Sequence, residues 1–267
     1  MTRRQHGPGG GVRVMSRLKI ISIGVDTGSY GSFVRRIADL ARQRAPAYVC
    51  VANVHMVVEA HAHADFAAAV NSADLVTPDG VPLSRAMKLL YGVRQERVAG
   101  MDLLPDLLEA ADLGGIPVFL YGSTCEVLDA MKGRIAREHP RLRLCGTHSP
   151  PFRSLTPEED ASEIALINGS GAGIVLVALG CPRQEQWMAA NRGRVFAVMV
   201  GVGGAFPVYA GLQGRAPWLM QRLCLEWFYR LCQEPRRLFR RYLVTNSIFL
   251  MLLFRELLQR RKGSASA

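Results

Sequence analysis

The sequence lacks the patterns that mark disulfide-stabilised and zinc-binding proteins. Its six cysteines are scattered over 267 residues, and no two of them form a C-x-x-C pair. Scattered thiols with mostly apolar neighbours are typical of reduced, buried cysteines in a cytosolic protein. His55, His61 and His63 have no Cys, Asp or Glu at a recognisable ligand spacing, so we interpret them as ordinary helix residues and expect no metal site.

The sequence also has no apolar segment near its start. Residues 1–16 are rich in Arg and Gly, whereas a signal peptide needs an apolar core of about 7 to 15 residues. We therefore expect residues 1–16 to form a disordered tail. The remaining chain is long enough for one large domain with an appendage, and its 49% hydrophobic residues can fill a sizeable core.

Positive charge is concentrated at the other end of the chain. Residues 212–262 contain eleven Lys and Arg against three Glu, which accounts for most of the net charge of +11. Such a block needs an anionic partner, and three classes are open: a membrane surface, a nucleic acid or a phosphorylated substrate. The aromatic and aliphatic residues between the charges argue against a merely solvated basic face.

Apolar runs alternate with amphipathic stretches over most of the chain. This alternation predicts an α/β core over residues 17–211, with a mainly parallel, doubly wound sheet, helices on both faces and a ligand crevice at the C-terminal ends of the strands. We predict strands over residues 18–25, 47–52, 74–76, 116–121, 142–145, 174–179 and 195–200, and helices over residues 33–44, 54–71, 103–113, 125–138, 158–168 and 185–191.

A turn that carries a carboxylate follows the third predicted strand. Pro78 has no N–H to give to a sheet, so it prevents a central strand from continuing there. Asp79 is then held on a turn at the strand's C-terminal end, and Gly80 lets backbone or ligand come close to it. Two roles for Asp79 are open: it caps the helix that starts near Val81, or it serves as a general base.

Other strand ends carry glycine or small polar residues, as a ligand crevice requires. The GVGG run over residues 201–204 has the spacing of part of a dinucleotide-binding fingerprint. However, Pro207 and Gly211 interrupt any following helix, and no acidic residue lies about twenty positions further on. This run is therefore weak evidence for NAD.

Residues 212–267 differ in composition and are predicted to form a helical appendage. One amphipathic helix is expected over residues 218–232, and Pro235 suits the first turn of another over residues 235–261. The apolar middle of the last helix, residues 242–254, is shorter than the roughly 20 residues that cross a bilayer. We favour its lying in the membrane interface, with flanking Arg side chains reaching the headgroups. Packing on the protein's own core or on a dimer partner, and spanning, are the alternatives.

Seven short blocks stand out along the chain. They are Ala52-Asn53, Thr77-Pro78-Asp79-Gly80, Arg97-Val98-Ala99-Gly100-Met101-Asp102, Gly180-Cys181-Pro182-Arg183-Gln184-Glu185-Gln186-Trp187, Gly201-Val202-Gly203-Gly204-Ala205-Phe206, Arg215-Ala216-Pro217-Trp218 and Leu225-Glu226-Trp227. In their order and spacing, these blocks resemble the WecG/TagA/CpsF family of bacterial glycosyltransferases. The likeness extends from about residue 18 to about residue 242.

The resemblance implies a Rossmann-like α/β core and a C-terminal appendage that meets the membrane and helps to complete the active site. It implies a metal-independent, inverting enzyme without a cofactor, which moves a sugar, typically N-acetylmannosamine, from UDP onto a polyprenyl-diphosphate-linked sugar. Family members act at the cytoplasmic face of the bacterial membrane, as peripheral proteins. Their products include teichoic acids, enterobacterial common antigen and exopolysaccharides.

Roles for individual residues can be argued beside the resemblance. In an inverting transfer a carboxylate takes the proton of the acceptor hydroxyl, and Asp79 is our hypothesis for that base. Asn53 is predicted to orient the acceptor or Asp79. Because the sequence has no D-x-D metal-binding pattern, cationic side chains are expected to stabilise the departing diphosphate. Arg97 is the first candidate, and Arg215 and Arg222 from the appendage are next.

Further substrate contacts are predicted at several of the same blocks. Gln184 and Glu185 follow a strand at the start of a helix and are predicted to hold ribose or sugar hydroxyls, with ordinary helix N-terminal chemistry as the alternative. Asp102 is a predicted substrate contact that alternatively caps its helix. The predicted substrate-binding set is completed by Thr77, Gly80 and Gly203.

The sequence departs from the family pattern in two places. Many members carry Thr where Val51 stands, so a hydroxyl near the acceptor is missing. Pro207 follows Ala205-Phe206 where Asp is common. The resemblance therefore supports the reaction class better than it supports N-acetylmannosamine as the transferred sugar.

Two competing functions use the same features. A nucleotide-cofactor oxidoreductase or methyltransferase has the same architecture, but the second predicted strand ends at Asn53 without the acidic residue that a dinucleotide site needs. A nucleic-acid binder would use the basic C-terminus, but arginines mixed with the apolar run 249–254 suit lipid better than a phosphate groove. We therefore expect an anionic membrane surface rather than a nucleic acid as partner, and we leave a homo-oligomer open.

Overall fold

The computed structural model describes residues 16–222, 225–233 and 235–265. Within these ranges the side chains of residues 221, 222, 230, 236–238, 240, 241 and 261–265 lie outside the description. The predicted disordered tail therefore falls outside the described residues except for Ser16. The side chain of Arg222, one of the predicted diphosphate ligands, also falls outside them.

The core is built around a parallel sheet. The strands in the described residues are β1 (Arg17–Ile20), β2 (Ile23–Asp26), β3 (Tyr48–Ala52), β4 (Leu75–Pro78), β5 (Val118–Gly122), β6 (Leu144–His148), β7 (Ile174–Ala178) and β8 (Val198–Gly201). The last six form one all-parallel sheet in the order β4-β3-β8-β7-β5-β6, which confirms the predicted Rossmann-like architecture. After β3 the chain adds β4 on one side and all later strands on the other, so the ends of β3 and β8 flank the switch point where such sheets bind ligands.

Helices cover both faces of this sheet. Every residue of β3 is buried, and its alternate side chains pack in two separate apolar clusters, Cys50 in one and Val49 in the other. Burial on both faces explains why the strands are nearly continuous apolar runs rather than alternating ones. The helices are α1 (Tyr30–Arg42), α2 (Val54–Ala62), α3 (Ala64–Asn71), α4 (Val81–Tyr91), α5 (Gly100–Gly114), α6 (Cys125–Glu138), α7 (Pro157–Gly169), α8 (Arg183–Ala190), α9 (Ala205–Tyr209), α10 (Trp218–Arg222), α11 (Glu226–Gln233) and α12 (Pro235–Ala265).

The first predicted strand, over residues 18–25, is instead an antiparallel hairpin. Strands β1 and β2 pair with each other in a separate two-stranded sheet, and Ile20 pairs with Ile23. The two-residue turn puts Ile21 at φ 59°, a conformation that β-branched residues seldom adopt. The Ser22 hydroxyl donates to the Val57 carbonyl at 2.7 Å, which ties the turn to α2.

This hairpin closes the edge of the large sheet at β4. The Val76 N–H donates to the Asp26 carboxylate at 2.7 Å, so a side chain satisfies a donor that a further strand would otherwise take. Arg17 in turn donates to Asp26 from Nε at 3.0 Å and from Nη2 at 2.8 Å. The buried carboxylate is therefore paired on both sides.

Two predicted helices are interrupted. The helix predicted over residues 54–71 divides into α2 and α3 because His63 takes extended backbone angles, φ −129° and ψ 108°. The helix predicted over residues 218–232 divides into α10 and α11. The last helix begins at Pro235 as predicted and extends beyond residue 261.

The apolar middle of α12 packs partly on the protein itself. Phe249 and Leu253 are buried, and α12 contacts α2 and α4. On the opposite side Leu250 is 63% exposed and Phe254 is 62% exposed. The alternative of packing on the protein's own core is therefore realised on one side of α12, while interfacial contact of the exposed side stays a prediction. Across the described ranges, no helix has the length and apolar content needed to cross a bilayer.

Candidate active site

The predicted site residues gather where four parallel strands end. Asn53 follows β3, Asp79 follows β4, Gln184 lies on α8 after β7, and Gly203 follows β8. Because the strands are parallel, their C-terminal ends meet at one edge of the sheet. The structure therefore brings these residues to the predicted crevice.

Asp79 is held by hydrogen bonds on two sides. Its N–H donates to the Ala52 carbonyl at 2.7 Å, while the Pro78 carbonyl accepts from the Val98 N–H at 2.8 Å. Pro78 is the last residue of β4, which lies at an edge of the sheet, where a missing N–H is tolerated. Gly80 occupies the N-cap position of α4 at φ 98°, so Asp79 precedes the cap position rather than filling it. The helix-capping interpretation of Asp79 is therefore not the one that the backbone favours.

Asn53 sits beside this turn. The register pairs Ala52 with Pro78, so the next residues, Asn53 and Asp79, follow adjacent strand ends. Asn53 is the N-cap of α2, and its Oδ1 accepts from the Met56 N–H at 3.1 Å. This bond fixes the side chain and leaves its Nδ2 as a donor for a ligand.

Arg97 is paired with two carboxylates. Its Nη1 donates to Glu226 Oε2 at 2.5 Å, and its Nη2 donates to Glu226 Oε1 at 3.1 Å and to Asp102 Oδ2 at 3.0 Å. Burial alone would lower the pKa of Arg97, but the bond and charge of Glu226, with the charges of Asp102 and Asp79, raise it. Arg97 is therefore a fixed cation within electrostatic reach of Asp79.

Asp102 joins two predicted diphosphate ligands. It lies in the first turn of α5, and Ala99 rather than Asp102 is the N-cap of that helix. Its carboxylate accepts from Arg97 and, through the other oxygen, from Arg215. The capping role left open for Asp102 is thus replaced by ion pairing, and direct contact with substrate stays a prediction.

Gln184 and Glu185 are buried at the start of α8. Gln184 Nε2 donates to Glu185 Oε1 at 2.7 Å, and Glu185 is 0% exposed. The Gln184 amide lies where a side chain at Gly201 would stand, since a Cβ there would be 2.6 Å from Nε2. Among the described residues, Gln184 Oε1 has no hydrogen-bond partner. Gln184 Oε1 is therefore a buried acceptor beside Gly203, and Glu185 holds the amide through its Nε2.

Thr77 differs from the other predicted contacts because its side chain is fully buried. Its hydroxyl lies 3.5 Å from the Val98 carbonyl, on the protein side of the turn. Contact between Thr77 and substrate stays a prediction.

The described part of the chain contains no group of three His, Cys, Asp or Glu residues that could hold a metal ion. Metal independence stays a prediction, since it concerns the reaction rather than this arrangement.

Glu226 is the site residue that sequence reasoning misses. It belongs to one of the seven blocks, but no role follows from its local pattern, because an acidic residue in the first turn of a helix is common. Its partner Arg97 lies 129 positions away, and no local signal in the sequence links the two.

Nearly all of the described core and appendage matches one known family. The sequence model of the Glycosyl transferase WecG/TagA/CpsF family matches residues 18–263. The chain belongs to this family. A curated relative from Bacillus spizizenii, N-acetylglucosaminyldiphosphoundecaprenol N-acetyl-beta-D-mannosaminyltransferase, is 36% identical over 198 residues, which cover 73% of this chain and 74% of the relative.

Membership in the WecG/TagA/CpsF family decides between the enzyme classes that the sequence left open. The protein is a glycosyltransferase, and the predicted resemblance is confirmed. The competing oxidoreductase and methyltransferase interpretations are thereby set aside.

Proposed function

We propose that this WecG/TagA/CpsF glycosyltransferase moves N-acetylmannosamine, or a related hexose, from a UDP-sugar to a polyprenyl-diphosphate-linked sugar during cell-surface polysaccharide synthesis. The relative from Bacillus spizizenii bears the name of such a transferase. The observation that carries the proposal is the placement of Asp79 and Asn53 on adjacent strand ends, beside the fixed cation Arg97.

Asp79 is the proposed general base. As the acceptor hydroxyl oxygen attacks the anomeric carbon, its proton passes to the Asp79 carboxylate. The bond between the anomeric carbon and the UDP oxygen breaks on the opposite face, so the configuration at that carbon inverts. Asn53 orients the acceptor through its Nδ2, and Gln184 contributes to holding a sugar or ribose hydroxyl.

The leaving diphosphate gains negative charge as it departs. In our proposal Arg97 and Arg215 supply the compensating charge from fixed positions, together with Arg222 of the appendage, and neither a divalent ion nor a cofactor takes part. The N-terminus of α5, which begins at Gly100 against Val202, adds partial positive charge at the same edge. UDP is then released as the second product.

The appendage suggests where the reaction takes place. The exposed apolar side of α12, together with the basic residues around it, fits peripheral binding to an anionic membrane at the cytoplasmic face, where a lipid-linked acceptor is held. We expect no nucleic acid partner, and a homo-oligomer stays open.

One assay tests these points together. Purified protein receives UDP-N-acetylmannosamine and polyprenyl-diphosphate-linked N-acetylglucosamine, with excess chelator, and the product is examined by NMR. We expect undiminished transfer and a β-linked product from the α-linked donor. Transfer that depends on added magnesium or manganese would overturn metal independence, and an α-linked product would overturn inversion.

A further inference from the structure

A bidentate salt bridge joins the appendage to the core near the catalytic turn. Glu226 is the first residue of α11, and both of its oxygens accept from Arg97, at 2.5 and 3.1 Å. The Arg97 and Glu226 side chains are only 22% and 19% exposed. A fork-to-carboxylate pair with this degree of burial is stronger and less screened by solvent than an exposed ion pair.

Two large apolar residues of α11 are about half exposed. Trp227 is 46% exposed and Phe228 is 45% exposed. Within the described residues, the Trp227 ring contacts Phe228 and Tyr242 of α12, which both belong to the appendage. The salt bridge with Arg97 therefore adds a polar attachment of α11 to the core, where Tyr229 also lies close to Met101 and Val208.

The same bridge continues into the residues around Asp79. Asp102 accepts from Arg97 with one oxygen and from Arg215 with the other, so two guanidinium groups and two carboxylates form a chain of alternating charge. Next to Arg97, the Val98 N–H donates to the Pro78 carbonyl at 2.8 Å. The salt bridge that attaches α11 to the core is thus connected to the turn that holds Asp79.

The pairing also limits what Arg97 can offer to a donor substrate. Three hydrogen bonds from Arg97 go to Glu226 and Asp102, and a guanidinium has five N–H donors in all. Arg215, which is 38% exposed at its side chain, is the more accessible cation of the two.

We propose that Glu226 is a positioning residue, which docks α11 on Arg97 and thereby holds Arg215 beside the Asp79 turn. The expected effect on sugar transfer rests on the proposed function. The docking itself does not, because it can be measured on the full chain without substrate.

Hydrogen exchange followed by mass spectrometry tests the docking. In Glu226→Gln the bidentate charge pair is lost, so we expect amide exchange over residues 226–233 to rise at least tenfold. Glu256→Gln removes a local pair with Arg260 inside α12, at 3.0 Å, and serves as the matched control with unchanged exchange over residues 226–233. Unchanged exchange in Glu226→Gln would overturn the proposal.

A charge exchange tests the pairing directly. Glu226→Arg places two cations together, and Arg97→Glu places a third carboxylate beside Glu226 and Asp102, so each alone should raise exchange over residues 226–233. The double variant Arg97→Glu with Glu226→Arg should regain most of the lost protection. Exchange in the double variant as fast as in the singles would show that the two residues do not act as a pair.

Kinetics separates positioning from general stability. At saturating concentrations of both substrates, Glu226→Gln should lose at least tenfold in kcat while its thermal midpoint stays equal to that of the Glu256→Gln control. Normal kcat despite faster exchange would refute the positioning role. Absence of transfer by the unaltered protein, with exchange as expected, would instead refute the proposed function and leave the docking intact.

Discussion

The Asp79 N–H donates to the carbonyl oxygen of Ala52 at 2.7 Å, which fastens the proposed base to the strand that leads into Asn53. Since this contact uses only the backbone, Asp79→Asn should keep the turn and lose the proton acceptor. We expect transfer to fall by about a thousandfold or more, with UDP-sugar binding retained. Steady-state kinetics and calorimetric titration of the UDP-sugar provide the two measurements.

A matched variant is the control for Asp79→Asn. Asp129→Asn neutralises an exposed carboxylate that pairs with Lys132 on the surface of α6, and it should behave as the unaltered protein. Turnover of Asp79→Asn near that of Asp129→Asn would remove Asp79 from the role of base.

Adjacent residues of α12 should respond in opposite ways. Phe249 is 2% exposed and Leu250 is 63% exposed. We expect Phe249→Ala to lower the free energy of unfolding by about 3 kcal/mol or more, because it leaves a cavity against the core. Leu250→Ala should change it by less than about 0.5 kcal/mol. Denaturant titration of both variants measures the difference.

The Leu250→Ala variant also tests membrane contact. Leu250→Ala should weaken binding to anionic lipid vesicles roughly five- to tenfold, because it removes apolar area from the exposed side of α12. Co-sedimentation with vesicles measures the affinity. Equal binding by Leu250→Ala and the unaltered protein would argue that this side of α12 does not face lipid.

Gly122 should tolerate substitution poorly for a geometric reason. Its φ is 104°, and a Cβ there would lie 2.5 Å from the Ala178 carbonyl oxygen. We expect Gly122→Ala to lower the free energy of unfolding by about 2 kcal/mol or more. Gly169→Ala is the control, since a Cβ at the end of α7 meets nothing within 4 Å and should be neutral. Equal thermal midpoints for the two variants would contradict this geometry.

Glu185 should make stability depend on pH. Burial raises the pKa of its carboxyl above the ordinary value of 4.5, against the opposing hydrogen bonds from Gln184, its own backbone and Cys181. At a pH between the ordinary pKa of the unfolded chain and the raised pKa of the native state, the native carboxyl keeps a proton that the unfolded chain has released. The free energy of unfolding therefore falls as pH rises through this window.

Replacing the Glu185 carboxyl by an amide should remove this pH dependence of the free energy of unfolding. As pH rises above the ordinary pKa of a glutamate carboxyl, we expect Glu185→Gln to gain stability relative to the unaltered protein. Glu109→Gln, on the exposed side of α5, provides the comparison. If the free energy of unfolding changed with pH in the same way for Glu185→Gln and the unaltered protein, the Glu185 carboxyl would not be the source of the pH dependence.

Much of the sheet could be predicted because its strands are buried on both faces. The apolar runs that become β3, β5 and β7 are bounded by turn residues and separated by amphipathic helices, so type and order follow from the pattern. The edge at which the site lies follows from parallel pairing alone. Pro78 and Gly80 then mark where β4 stops.

The first hairpin could not be predicted because its turn lacks a recognisable sequence signal. Its turn consists of Ile21 and Ser22 inside a mostly apolar run, without the Asn or Gly that usually marks two-residue turns. Tertiary contacts hold it instead, including the hydroxyl of Ser22 on α2 and the carboxylate of Asp26 on β4.

The sequence predicts which residues meet at the strand ends, but it does not predict their ion-pair partners. The blocks identified Arg97 and Asp102, yet the sequence does not show that Arg97 would face Glu226, 129 positions away. Ion pairing across such a separation depends on how the appendage folds back, which periodicity does not encode. The burial of Glu185 likewise depends on the neighbouring strands rather than on its own helix.

The Asp26 carboxylate also limits how copies of this protein can meet. By taking the Val76 N–H, it occupies the place of an incoming strand, so edge-to-edge pairing with a second chain is blocked at that point. Assemblies must therefore form through other surfaces. A chain that lost its first hairpin would present an open template for intermolecular β-pairing next to the reactive turn, and aggregation would compete with catalysis.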